Sequence, residues 1–221
     1  MSKRYIDLTH PIHEGMTVFP AYWHPRVEVT QMGRHETEQR ETRKVLVGTH
    51  TGTHCDAPLH FIPNGKPVDE IPVDTFIGAA VVVDFSKLVP GTEIGVSHFE
   101  KAIGGRKPRR VVMRFDWSDH WGKENFYKGH SYLSEDAARW LVKSGVKLLG
   151  MDTPMPDNPL NGRGSANDSP IHKILLGSGV ILIEYLCNLR ALRKTEIELI
   201  ALPMKVRGGD GAPVRCVAVE A

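Results

Sequence analysis

The stretch His50-Thr51-Gly52-Thr53-His54-Cys55-Asp56-Ala57-Pro58-Leu59-His60 places three histidines and an aspartate within eleven residues. The whole chain has 11 histidines in 221 residues, so this is a dense cluster. His50 and His54 have the i, i+4 spacing of a helical metal site. Gly52, two β-branched threonines and Pro58 oppose a continuous helix, and extended backbone fits better. In an extended chain alternate residues share a face, so His50, His54, Asp56 and His60 would point the same way and Cys55 the other. His54 and Asp56 would then lie about 6–7 Å apart at Cα, close enough to grip one ion. His50 lies farther along, and Gly52 supplies the bend that would bring it in. Imidazole with carboxylate suits Zn(II), Mn(II) or Fe(II). The competing reading is a polar strand end carrying surface histidines.

Around that extended segment the chain alternates between strands and helices. Runs rich in Val and Ile at 26–30, 43–47, 79–85, 110–115, 146–151, 180–186, 197–202 and 214–219 read as strands. Ser97 with Glu100 reads as a capping box opening a helix. Ser134 reads as the N-cap of a helix whose apolar stripe is Ala137, Ala138, Leu141 and Val142, stopped at Gly145. Pro170 stands in the first turn of a third helix, which ends at Gly177 or Gly179. The fold class expected is α/β: a single domain over residues 1–221, with a mixed β-sheet and flanking helices. The last two strands, joined through Gly208-Gly209-Asp210-Gly211-Ala212-Pro213, read as antiparallel. Two long irregular segments, 116–132 and 152–169, read as functional or mobile loops.

Composition excludes several classes. Lys plus Arg total 28 against 26 Asp plus Glu, a net charge of +2, which gives no reason to expect nucleic acid or an anionic membrane as partner. No apolar run approaches the ~20 residues of a membrane span. The opening residues lack the apolar core of a signal peptide. Three widely spaced cysteines, Cys55, Cys187 and Cys216, suggest no disulfide framework, and the expected setting is cytoplasmic.

A second group of residues lies far downstream. Glu184 falls inside the apolar run Val180-Ile181-Leu182-Ile183-Glu184-Tyr185-Leu186. A buried carboxylate must be neutralised, paired or bound to metal. His172, on the preceding helix, would meet it if that helix folds back on its own strand. An ion pair between Glu184 and Arg114, with His172 on a helix surface, is the alternative.

Read together, these residues resemble a known family. The pattern H-x-G-T-H-x-D-x-P-x-H-F from His50 to Phe61 is similar to the signature of the cyclase-like metal-dependent hydrolases, which include bacterial kynurenine formamidase and isatin hydrolase. Residues 7–20, 169–189 and 201–220 resemble the family's opening and closing portions, and the middle, about 86–150, carries least of the likeness. The resemblance implies a swivelling β/β/α-type fold. It implies that His50, His54 and Asp56 hold a first metal, with Asp56 bridging to a second held by His172 and Glu184. It implies that His60 is the catalytic acid/base. The expected cofactor is a divalent metal, two zinc ions with manganese as the alternative. The expected assembly is a homodimer or tetramer acting on a small molecule. Phe19 departs from the tryptophan that formamidases carry in V-W-P, which weighs against formylkynurenine itself. Glu184 stands where isatin hydrolases carry an amide, which weighs against isatin.

The expected reaction is hydrolysis of an aryl formamide or a cyclic amide by metal-activated water, with His60 moving the proton. Phe19, Tyr22 and Trp23 are candidate contacts for an aryl substrate, with core packing the alternative. Three further readings stand beside it. One is lactone hydrolysis within the same family. Another is a non-haem Fe(II) oxygenase using His54, Asp56 and His172 as a facial triad. The last is a non-catalytic metal-binding protein with a closed coordination sphere.

Overall fold

The computed structural model describes residues 3–221; Met1 and Ser2 of the expected domain span lie outside them. The chain forms β1 (Arg4–Asp7), β2 (Glu28–Gly33), α1 (His35–Glu38), β3 (Thr42–Leu46), β4 (His54–Asp56) and β5 (Ile77–Asp84). It continues through β6 (Glu93–Ile94), α2 (Val96–Ile103), β7 (Arg110–Arg114), β8 (Tyr132–Leu133), α3 (Glu135–Lys143) and β9 (Leu148–Met151). It ends with α4 (Pro170–Gly177), β10 (Ile181–Glu184), β11 (Glu196–Pro203) and β12 (Gly211–Glu220).

The main sheet runs β1-β12-β11-β5-β7-β9-β10-β4, and β4 also pairs with β12. Seven strands therefore close into a barrel, with β1 continuing along β12 beyond β4. β5, β7, β9 and β10 run parallel to their neighbours in that series, while β4, β11 and β12 join antiparallel. The mixed α/β expectation is met, and so is the antiparallel β11–β12 pair. Closure was not expected. It follows from β4, a three-residue strand that bonds to β10 on one side and β12 on the other.

The parallel strands read as near-continuous apolar runs because both of their faces are covered. Val82, Val112, Leu148, Ile181, Ile183 and Cys55 join the core cluster of the barrel interior. Their neighbours Val81, Val83, Val111, Met113, Leu149, Met151 and Leu182 face outward against Phe99 and Ile103 of α2, Leu141 of α3 and Leu175 of α4. Alternation along β10 thus puts Leu182 and Glu184 on the outer face, under α4.

Several boundaries differ from expectation. α2 is capped at Gly95, whose N–H donates to His98 Nδ1 at 3.1 Å, so the Ser97–Glu100 pair does not open it. Ser134 does cap α3, accepting from Ala137 N at 3.1 Å. β12 begins at Gly211, ahead of the expected 214, because the carbonyl of Pro213 still serves the ladder, accepting from Met204 N at 3.0 Å. β1, β6, β8 and α1 are short elements without a periodic signal of their own.

Candidate active site

β4 and β10 bring the two sequence clusters together. His54 lies opposite Glu184 and Cys55 opposite Ile183, and Asp56 is paired with Leu182. Residues opposite one another in a ladder project to the same side, so His54, Asp56 and Glu184 share the outer face. Cys55 points into the barrel core, as alternation predicts. Gly52 makes the bend before β4 at φ +59°, and His50 folds back onto the strand. His60 follows in a 3-10 turn, Pro58–His60. α4 crosses above and delivers His172.

The distances are short. His54 Nε2 lies 3.2 Å from Asp56 Oδ1 and 3.6 Å from Glu184 Oε2. His172 Nε2 lies 3.5 Å from Asp56 Oδ2 and 3.3 Å from Glu184 Oε1. His50 Nδ1 is 2.7 Å from Asp56 Oδ1. The His50 and His60 rings stack at 3.8 Å. Arg114, the alternative partner for Glu184, pairs instead with Asp116 and Asp84.

Backbone and carboxylate partners fix the imidazoles. His54 Nδ1–H donates to the Gly52 carbonyl at 2.8 Å, which leaves Nε2 as the free donor atom facing the carboxylates. Asp157 performs two tasks at the start of α4. Its oxygens accept from the N–H groups of Ile171 (2.7 Å) and His172 (3.1 Å), and one of them holds His172 Nδ1 at 2.5 Å. Ser169 precedes the helix but is left-handed at φ +46°, and its hydroxyl turns to Asp168.

Burial and charge oppose each other here. Burial would depress the His50 imidazole, but Asp56 and Asp210 outweigh it and push it up to about 10. Burial acts the same way on His172, and Asp157, Asp56 and Glu184 raise it well above the usual range. Burial raises Asp56 as well, yet His50 and His172 hold it far below an ordinary carboxylate. Glu184 is raised by burial and by the charge on Asp56. Burial lowers His60.

A divalent cation fits this arrangement. Asp56 Oδ2 and Glu184 Oε1 are buried without a hydrogen-bond partner among the described residues. An orphaned buried oxygen is costly, and two facing carboxylates repel. Two sets of donor atoms converge within 4.8 Å: His54, Asp56 and Glu184, and His50, Asp56 and His60. Asp56 belongs to both. Mixed nitrogen and oxygen donors suit zinc and manganese alike.

The cluster opens into a cavity of about 550 Å³. Phe19, Trp23, Phe61, Tyr127 and Tyr185 give it aromatic walls, and both long irregular segments contribute to its rim. Tyr185 holds a left-handed φ of +54° directly after Glu184, a strained state for a bulky residue, and its carbonyl accepts from Thr53 Oγ1 at 2.6 Å. Of the three expected aryl contacts, Phe19 and Trp23 line the cavity. Tyr22 does not: it is 87% exposed, set edge-to-face with Trp23 and beneath the Arg163 guanidinium. His24 also lines the wall, 6.1 Å from the His50 ring; burial and His50 lower it to about 4. Asp157 and Asp210 were missed, because an aspartate in a turn usually serves the turn.

A closed α/β barrel with a buried histidine–carboxylate cluster at the mouth of an aromatic cavity defines a class of metal-binding hydrolase scaffold. The Cyclase family model matches residues 6–158, and this chain belongs to that family. It is 32% identical over 218 residues to a kynurenine formamidase of Salinibacter ruber, covering 98% of this chain and 97% of the relative. A kynurenine formamidase of Bacillus cereus is 30% identical over the same shares. Among solved structures, isatin hydrolase A from Labrenzia aggregata, bound to benzyl benzoate, superposes with a TM-score of 0.87 at 29% identity, covering 98% of this chain and 93% of that one. An isatin hydrolase bound to the product analogue thioisatinate matches with a TM-score of 0.87 at 25% identity, over 99% and 92% of the two chains.

Proposed function

We propose that this chain hydrolyses the carbon–nitrogen bond of an aryl formamide such as N-formylkynurenine. Metal-dependent hydrolysis of a non-peptide amide is the activity class. The observation that carries it is the pose of Asp56 beneath an aromatic cavity, its Oδ1 beside His50 and His54 and its Oδ2 beside His172, which also meets Glu184. Full-length similarity to kynurenine formamidases supports the formamide. Similarity to isatin hydrolases supports a second reading, a cyclic amide such as isatin. The oxygenase reading needs only three donors and open positions, and it is not favoured by six side chains gathered in one place. A closed non-catalytic sphere is not favoured by an adjoining cavity.

His50, His54, Asp56, His172 and Glu184 would hold the metal, two zinc ions or manganese. A bound divalent cation supplies a water of lowered pKa and a Lewis-acid contact for the acyl oxygen. Asp56 and Glu184 offset the positive charge. Phe19, Trp23 and Tyr127 orient the aryl group against the cluster. His60 takes a proton from the water as its oxygen adds to the acyl carbon. It then gives a proton to the departing nitrogen as the C–N bond breaks and its electron pair stays on nitrogen, yielding acid and amine. Burial lowers the His60 imidazole and so favours the neutral ring that accepts the first proton.

The reading extends to the whole protein. One domain of swivelling β/β/α type over residues 1–221 is supported by closure of the barrel between β4 and β12. A homodimer or tetramer is supported by exposed Met32, Val45 and Leu46 on the β2–β3 hairpin. A cytoplasmic setting is supported by three buried free thiols. No helix among the described residues is long and apolar enough to cross a membrane.

The test is a hydrolysis screen of metal-reconstituted protein over N-formylkynurenine, isatin and simple lactones, with elemental analysis. Turnover of N-formylkynurenine is the expected result; lactone turnover alone would overturn the amide reading. His60→Ala should keep its metal and lose roughly 10²- to 10⁴-fold in kcat. Loss of metal from that variant would instead make His60 a ligand.

A further inference from the structure

Asp210 sits in the turn between β11 and β12, outside the His50–Phe61 pattern and the 169–189 segment that supply the clustered histidines and carboxylates. One oxygen of its carboxylate, Oδ2, lies 2.8 Å from His50 Nε2 and 3.3 Å from His60 Nδ1. A single oxygen thus touches the imidazole assigned to the metal and the one assigned to proton transfer. The turn that carries it is pinned to the segment bearing His60. Ala57 N donates to the Asp210 carbonyl at 2.9 Å, Val68 N to the Gly209 carbonyl at 2.8 Å, and Gly208 N to Asp69 Oδ1 at 2.9 Å. Gly211 completes the fit: a Cβ there would stand 2.5 Å from the Cys55 carbonyl and 2.8 Å from the His50 ring. The backbone has come as close as the chain allows, and the closeness puts a carboxylate behind two ring nitrogens.

We propose that Asp210 is the positioning residue of His60, accepting its Nδ1–H so that Nε2 is the nitrogen presented to the departing amine. This rests on the hydrolytic reading of the site and on His60 as its acid/base. A carboxylate behind an imidazole selects the ring tautomer and stabilises the imidazolium that forms in mid-reaction. Without it, Nδ1 and Nε2 compete for the proton, and the ring loses the stacked pose on His50 that points it at the cavity. The contact to His50 raises a distinct role, orienting a metal ligand, which the same carboxylate could fill. The two roles predict different kinetics. His60 takes the water's proton with either substrate, but only an amide also needs that proton delivered to its leaving group, so a residue working through His60 matters more for the amide than for an ester with a good leaving group.

The experiment uses zinc-reconstituted full-length protein, an aryl formamide, and 4-nitrophenyl formate, whose leaving group departs without protonation. Asp210→Asn is expected to keep wild-type metal content, to lose roughly 100-fold in kcat on the formamide with KM little changed, and to lose only about tenfold on the ester. Asp210→Glu should restore part of the formamide rate. The double variant Asp210→Asn/His60→Ala should be no slower than His60→Ala alone, because both remove one device. Equal losses on both substrates, loss of metal, or a further fall in the double variant would overturn the proposal, assigning Asp210 to His50 instead. Should Asp210→Asn fail to fold, Asp210→Glu and the double cycle built on it carry the same comparison. Wild-type protein that turns over neither substrate would reject the hydrolytic reading itself, a result separate from any outcome for Asp210.

Discussion

A single carboxylate, Asp157, joins helix capping to site geometry. It serves two backbone N–H groups of α4 and the ring of His172 at once. Partners of this kind are worth about 10- to 100-fold in metal affinity. Asp157→Asn should therefore weaken metal binding by roughly that factor, read by competition with a chromophoric chelator, while the fold persists. His130 gives a separate, pH-linked test. Its ring is wholly buried, with Nε2–H donating to the Asp157 carbonyl at 3.1 Å, and burial lowers it from 6.5 to about 4. The unfolded chain then binds the proton more readily than the folded one. The stability His130 contributes is present above pH 6.5 and lost as the pH falls through 4, up to about 3 kcal/mol. Chemical denaturation of metal-free protein at pH 7 and pH 4.5 should show a steeper loss in wild type than in His130→Gln; parallel losses would count against it.

At the scale of elements, β4 matters out of proportion to its length. Three residues bond to β10 and β12 together, and their alternation decides what faces the histidine–carboxylate cluster and what faces the core. That alternation was legible in the sequence, because a two-residue period is written directly in the order of side chains. Glu184 was legible for a related reason: a carboxylate in an apolar strand stands out. The helix that carries His172 was legible from Pro170 and the glycines behind it. Asp210 and Asp157 were not, since they reach the cluster from turns, where local chemistry already accounts for an aspartate. Tyr22 misled for the opposite reason, an aromatic in sequence next to two cavity residues but turned to solvent. The tight contact of β12 on β4 supplies the prediction here. Gly211→Ala places a methyl against the Cys55 carbonyl and the His50 ring. It should cost about 1–3 kcal/mol of stability, seen as a lower denaturation midpoint, together with a marked loss of activity. A stable, fully active variant would show that the strands can part.

Across the whole molecule, the barrel was only half legible. Strand runs and their interleaved helices gave the α/β class, but closure depends on pairing between segments remote in sequence, which no local pattern encodes. The same remoteness makes bound metal a brace, since its proposed ligands come from β4, the loop before it, α4 and β10. A ligand bound only by the folded state at 100 times its dissociation constant adds about 2.7 kcal/mol. For a chain of this size that corresponds to a rise in Tm of roughly 5–10 °C. Thermal scans with zinc and with chelator should differ by that margin, and coincident curves would argue that the cluster binds no ion in the folded state.

The late arrival of β10 has a consequence for biosynthesis. At ribosomal speeds of about 5–20 residues per second, roughly ten seconds separate the emergence of β4 from that of Glu184. During that interval the histidines near the front are exposed to any cation passing by, with no strand beside them to enforce a choice. A coordination shell built from the proposed ligands would therefore close only once Glu184 has been made, and choice among cations would wait for β10 rather than β4.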